Sequence, residues 1–340
     1  MPRLRYWLSA ALLAVIGLSA PSTAQDSKDA KDKKAEDKAK DAPPPPPAAA
    51  GEKVEFKWKF EKDKPFYQTM TTKTNQEMKV MGMEVKQTQE QTFDFSWTFK
   101  EEDKDKNSVI VQKIEGVKLK IDIAGNPISY DSSNQANANN ALADFFKALI
   151  GTEFKLTLDK NMKVIKVEGR EEFLKKLATA NQQMEPLLKK ILSEEAVKQM
   201  ADPTFGMVPA EAVAKGGTWK REGKLNLGPI GSYKNNVTYT LEGTDKDIAK
   251  IKVDTSLTYD PPTEGGEGLP FKIKEAKLTS KNPKGSVTFD VKKGRLESSN
   301  QELELEGTLD IEIGGIATKV ELKQKQETSV KTSDAPPKKG

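Results

Sequence analysis

The sequence predicts an α+β protein, a predominantly antiparallel, curved, half-barrel-like β-sheet packed against a central helical segment. Two observations carry that class. Apolar and polar residues alternate with period two along most of the chain, as in Val54, Phe56, Trp58 and Phe60 or Phe93, Phe95, Trp97 and Phe99, which is the signature of strands with one dry face. One long stretch, about 139 to 201, instead has apolar residues at helical spacing. A helix with one apolar stripe must bury it against another layer, and sheet is the partner on offer. With no period of 20–50 residues, propeller and solenoid classes lose support.

Taken in order, the chain opens on an address. Arg3 and Arg5 precede an apolar run from Trp7 to Leu18, and Ser22-Thr23-Ala24 supplies small residues for cleavage between Ala24 and Gln25. Residues 1–24 are therefore expected to be a secretory signal peptide, too short in apolar length for a membrane span. The expected compartment is outside the cytoplasm, in a bacterial periplasm or beyond. Residues 25–50 alternate Lys with Asp or Glu and end in Pro43 to Pro47 and three alanines, a composition expected to be a disordered linker.

A single β-rich domain is expected over 51–322, and a flexible basic tail over 323–340. Strands are expected at 54–60, 66–73, 76–85, 87–99, 109–123 and 128–130. The helical stretch divides into three. A first helix from Asn139 to Ile150 carries Phe145, Phe146 and Leu149, and Gly151 ends it. A second begins near Arg170 with Glu171 and Glu172 in its first turn. A third, from Gln183 to Met200, has Pro186 where a missing N–H costs least. A short hairpin around Asp159-Lys160-Asn161 separates the first two. Further strands are expected from Trp219 onward, among them 271–279, 286–291, 295–313 and 316–326, with turns at 243–247, 292–294 and Gly314-Gly315.

The net charge of +4 sits at the chain ends, leaving 51–322 at −1. Without a basic stripe interleaved with aromatics, nucleic acid is not an expected partner. The chain has no His and no Cys, which removes Ser-His-Asp and Cys-His catalysis, zinc sites of the usual N/S type and thiol redox chemistry. No enzyme activity, metal or cofactor is therefore expected. The carboxylates Asp94, Asp122 and Asp131 could pair only if the fold set their separation. Asp103 to Asn107 has the alternating oxygens of a calcium loop, but Ser108 stands where glycine is needed and Ile114 where a bidentate Glu is needed.

Several runs resemble a known family: Met78 through Glu84 with Thr92 through Trp97, Lys113 through Asp122, and Met200 through Gly206 with Gly217 through Lys220. These are similar to exported bacterial proteins catalogued only as a domain of unknown function, over Val54 to Pro262. The curved sheet with a helical plug is also similar in plan to periplasmic lipoprotein-carrier and mycobacterial lipid-binding lipoprotein folds. That likeness implies an apolar ligand but lacks the lipid-attachment Cys.

The expected function is that of a non-enzymatic envelope protein binding an apolar or amphiphilic ligand, such as a lipid, under the helical segment as lid. Met81, Met83, Phe145, Phe146, Leu149, Phe205 and Trp219 are the expected ligand-lining residues, because Met and aromatic side chains adapt to irregular apolar guests. The alternative is a structural or interaction protein with a dry core and an envelope protein as partner. A monomer without an integral membrane span is expected in either case.

Overall fold

The computed structural model describes residues 52–134, 141–180, 182, 185–263, 269 and 271–337. The expected signal peptide, cleavage site and linker, together with Asn139, Gln183 and Met184, lie outside them. Among the described residues the strands are β1 (Pro65–Val80), β2 (Met83–Glu102), β3 (Ser108–Ile123), β4 (Asn126–Asp131), β5 (Glu153–Leu158), β6 (Val164–Glu168), β7 (Thr218–Asn226), β8 (Ser232–Asp245), β9 (Ile248–Asp260), β10 (Lys272–Asp290), β11 (Arg295–Ile313) and β12 (Ile316–Ser333). The helices are α1 (Ala141–Leu149), α2 (Arg170–Ala180), α3 (Glu185–Ile191) and α4 (Glu194–Ala201).

All twelve strands join one open, curled, antiparallel sheet in the order β6-β5-β3-β2-β1-β12-β11-β10-β9-β8-β7, with β4 beside β3. Predominantly antiparallel curved sheet with helices against it is thus the architecture. The expectation of a flexible tail from residue 323 is corrected: residues 323–333 complete β12, which lies between β1 and β11 at the middle of the sheet. The strand expected at 316–326 runs on to Ser333, and its inward positions Gln324, Gln326 and Thr328 are polar but uncharged. Beyond the strand, Asp334 pairs with Arg295 at 2.5 Å and with Lys293 at 3.2 Å. These cations, Arg295 foremost, pull its carboxyl from an ordinary 3.8 down to about 2.

Three further expectations change. Residues 66–85 are one strand, a turn and the start of the next strand, since Met81 (φ 51°) and Gly82 (φ 79°) form a two-residue hairpin with the positive φ at both positions that such turns favour. Residues 54–60 keep their alternation but are not a sheet strand. Phe56 and Trp58 are buried while the backbone makes only scattered contacts, including the bridge of Val54 with Val213 and the bond from Lys59 N to Gly294 O. The third helix is two, α3 and α4, parted at Leu192-Ser193. Ser193 caps α4 by accepting from Ala196 N at 3.1 Å.

The helices sit where the sheet is open. α4 packs against both β6 and β7, the two outermost strands. Gln199 in α4 accepts from the last amide of β7, Asn226 N, at 2.8 Å, and Asp202 just past the helix accepts from the first amide of β6, Val164 N, at 2.8 Å. A circuit left open by the backbone ladder is closed by one short helix.

A candidate binding band inside the curled sheet

The alternation of β1, β2 and β12 places every second side chain inside the curl. Antiparallel register then lines those side chains up in rows. Gln76 stands between Gln87 and Gln324, Thr74 between Gln89 and Gln326, and Thr72 between Gln91 and Thr328. These nine neutral polar side chains are all buried.

Apolar rows bound the band at both ends of the strands. On one side Met70 stands between Phe93 and Val330, part of the large cluster that includes Trp58, Trp97, Phe205 and the helices. On the other, Met78 stands between Val85 and Leu322 and belongs to a second cluster with Leu305, Leu309, Ile311, Phe271 and Ile273. Apolar, amide-rich and apolar zones thus follow one another along the strands.

Hydrogen bonding inside the band is incomplete. Gln89 donates to Gln91 Oε1 at 2.9 Å, and the Thr72 and Thr328 hydroxyls are 3.4 Å apart. Among the described residues, Gln76 Nε2, Gln89 Oε1, Gln326 Oε1 and both amide atoms of Gln87 and of Gln324 have no protein partner. For Gln87 and Gln324 this does not depend on which way the amide is turned, because nitrogen and oxygen are alike unpartnered. A buried polar group left unsatisfied costs about 1–3 kcal/mol, so a close-packed interior without further function disfavours such a band.

The band is uncharged. On the opposite face the same strands carry ion pairs, including Lys86 with Glu77 at 3.3 Å and Lys325 with Glu302 at 2.9 Å.

Farther along the sheet, beyond β11 and β10, there is a seam. The β9–β10 ladder runs from Ile248 opposite Asp290 to Asp254 opposite Lys284 and stops at a register shift between Lys281 and Lys284, where Pro283 lies. Beyond it, among the described residues, 255–260 of β9 pair with β8 alone and 272–281 of β10 with β11 alone. Half-buried Leu257, Ala276 and Leu278 pack there on the second apolar cluster. Side chains, not backbone hydrogen bonds, hold the two edges.

The expected ligand-lining residues do not form this site. Met81 and Met83 are a correction: they are exposed, 59% and 45%, at the β1–β2 hairpin tip, because the chain turns where a continuing strand was expected. Phe145, Phe146, Leu149, Phe205 and Trp219 belong to the large apolar cluster. Phe146 stacks on Tyr130 at 5.6 Å, Phe205 meets Trp97 edge-on at 5.2 Å, and Trp219 stacks on Tyr239 at 5.3 Å. Phe205 O accepts from Trp58 Nε1, and Met207 O accepts from Trp219 Nε1, both at 2.9 Å.

The carboxylates serve local structure. Asp94 accepts from Thr69 Oγ1 at 2.5 Å, Asp122 from Gly125 N at 2.7 Å, and Asp131 from Ser133 Oγ at 2.7 Å. Asp103 closes its own turn by accepting from the Asp105 and Asn107 amides at 2.8 and 2.9 Å.

Sequence reasoning missed the glutamines, although a signal was present. Gln87-Thr88-Gln89-Glu90-Gln91 and Gln324-Lys325-Gln326-Glu327-Thr328 alternate too, with neutral polar residues in the phase that apolar residues hold elsewhere on the same strands.

A family model for a family of unknown function, DUF6263, matches residues 105–335, more than half of the chain. The chain belongs to the DUF6263 family. The match starts later and ends later than the resemblance, reaching from the β2–β3 turn past the end of β12, so it takes in the C-terminal strands as well. No curated protein matches the sequence. Among solved structures, lipovitellin with its lipid–protein interactions is similar at 9% identity and a TM-score of 0.43. That alignment covers 82% of this DUF6263 chain and 26% of lipovitellin, so the chain spans about a quarter of that protein. OccK7 (OpdD) of Pseudomonas aeruginosa aligns at 5% identity over 79% of this chain and 99% of its own, with a TM-score of 0.21. OccAB3 of Acinetobacter baumannii gives 5%, 79% and 99%, with a TM-score of 0.19. Likenesses this slight carry no argument about function.

Proposed function

We propose that this DUF6263 protein is an exported, non-enzymatic binding module that holds an amphiphilic molecule inside its curled sheet. The observation that carries the reading is the buried glutamine band with unpartnered amides between two apolar clusters. An amphiphile has the matching chemistry, a polar group for the amides and a chain for an apolar cluster. The β9–β10 seam supplies a route, since parting it breaks side-chain packing but no ladder hydrogen bond among the described residues. The absence of His and Cys from the chain accords with binding rather than catalysis.

Native mass spectrometry of the protein purified gently from its own host tests this without a guess at the ligand. The expected result is mass in excess of the chain that is lost on denaturation and recovered in an organic extract. A bare chain mass with a clean extract overturns the proposal.

A further inference from the structure

Resting on that reading, we infer that the bound molecule has an uncharged head group carrying hydroxyl or amide functions that both donate and accept hydrogen bonds. The band asks for both. Gln76 Nε2 and the Nε2 atoms of Gln87 and Gln324 need acceptors, whereas Gln89 Oε1, Gln326 Oε1 and the Oε1 atoms of Gln87 and Gln324 need donors. A bare carboxylate or phosphate dianion accepts only, and leaves the oxygens unmet.

Charge argues the same way. None of the nine side chains in the band is ionisable, and the inward neighbours that continue two of its rows across β3 and β11 are Ile123, Ile121, Leu305 and Leu303. The lysines of these strands point to the other face, where Lys73, Lys86 and Lys325 each have a carboxylate partner. An anionic head in the band is therefore stripped of water without a counter-charge, the costliest way to bury an ion. A glycerol or sugar head loses no charge solvation and matches amides of both senses, while its chain lies along Met78, Leu322 and Leu305 or toward Phe93, Met70 and Val330.

Titration calorimetry of the full chain at a pH where fatty acids are ionised, below micellar concentrations, compares laurate, 1-monolauroylglycerol and dodecyl glucoside, which share a chain length. The uncharged pair is expected to bind on the order of tenfold or more tighter than laurate. Tighter binding of the glycerol ester assigns the head to glycerides, and tighter binding of the glucoside assigns it to sugars; either supports the inference. Laurate binding as well as both overturns it and leaves the binding module standing. Binding of none of the three overturns the inference together with the reading on which it rests.

The double variant Gln87→Leu with Gln324→Leu is expected to fold with a raised Tm and to bind the glycerol ester and the glucoside more weakly, so that their preference over laurate shrinks. Undiminished preference in the folded variant overturns the role given to the band. Should the double variant fail to fold, Gln87→Met alone provides the same comparison, with a reduced preference expected.

Discussion

Gly307 lies on the inward row beyond the glutamine band, between Leu322 of β12 and Leu278 of β10. Its φ is +154°, and a Cβ there would stand 1.9 Å from the Lys277 carbonyl oxygen. A backbone oxygen in the centre of a sheet cannot swing aside as a side-chain tip can. Gly307→Ala is therefore expected to destabilise by about 3 kcal/mol or more, read as a fall in the denaturant midpoint with little change in slope. The sequence showed a glycine inside a strand pattern, which hints at a close approach but not at what approaches. The same limit applies to Gln76, Gln87 and Gln324. Each is legible as the inward partner in an alternation, yet the three become neighbours only through a β1–β12 pairing across about 250 residues of chain, which no local pattern encodes.

At the scale of elements, legibility followed how local the cause was. Helices α1 and α2 were readable from stripe, glycine stop and acidic first turn, because those forces act within a few residues. The break between α3 and α4 does not interrupt the apolar stripe, although Ser193 stands where a cap for the second piece is needed. The alternation of Phe56 and Trp58 predicts their shared buried face, but burial comes from packing against Phe205, Trp219 and Phe289 rather than from a ladder.

Asp202 sets a pH dependence on α4's role as closure. Burial, the larger influence, pushes its carboxyl pKa up, while the bond from Val164 N pulls it down. A carboxyl whose pKa is higher folded than unfolded contributes stability that is full below the unfolded value and is lost as pH rises through the folded one. Asp202→Asn keeps an oxygen for Val164 N and removes the buried charge. The variant is expected to be the more stable protein at neutral pH, by about 1 kcal/mol, and to lose that advantage as the pH falls through the carboxylate range. Thermal melts of both proteins from pH 7 to about 3.5 measure the difference.

For the molecule as a whole, the decisive element is β12, whose C-terminal part from residue 323 the sequence places in a tail. Read along the chain, strands on either side of a helical segment suggest two halves. In space β1 and β12 pair, so the first and last strands form the centre and the helices between β6 and β7 close the rim. Residues 323–333 pair with 67–77 of β1, and 323–331 with 298–306 of β11. They also supply Gln324, Gln326 and Thr328 to the band and Val330 to the large cluster. Ending the chain after Leu322 deletes a central strand's worth of ladder on two sides and exposes the inner face of β1 and β11 to water. Loss of a central strand exceeds the 5–15 kcal/mol that holds a typical domain together. The truncated protein is expected to be insoluble, or soluble without the cooperative unfolding transition of the full chain by circular dichroism. A chain ending after Ala335 retains β12 and the Asp334 pairs with Arg295 and Lys293, and is expected to melt like the full protein. A cooperative melt from the Leu322 truncation at the full-length temperature would mean that β12 is dispensable, and the band's central column with it.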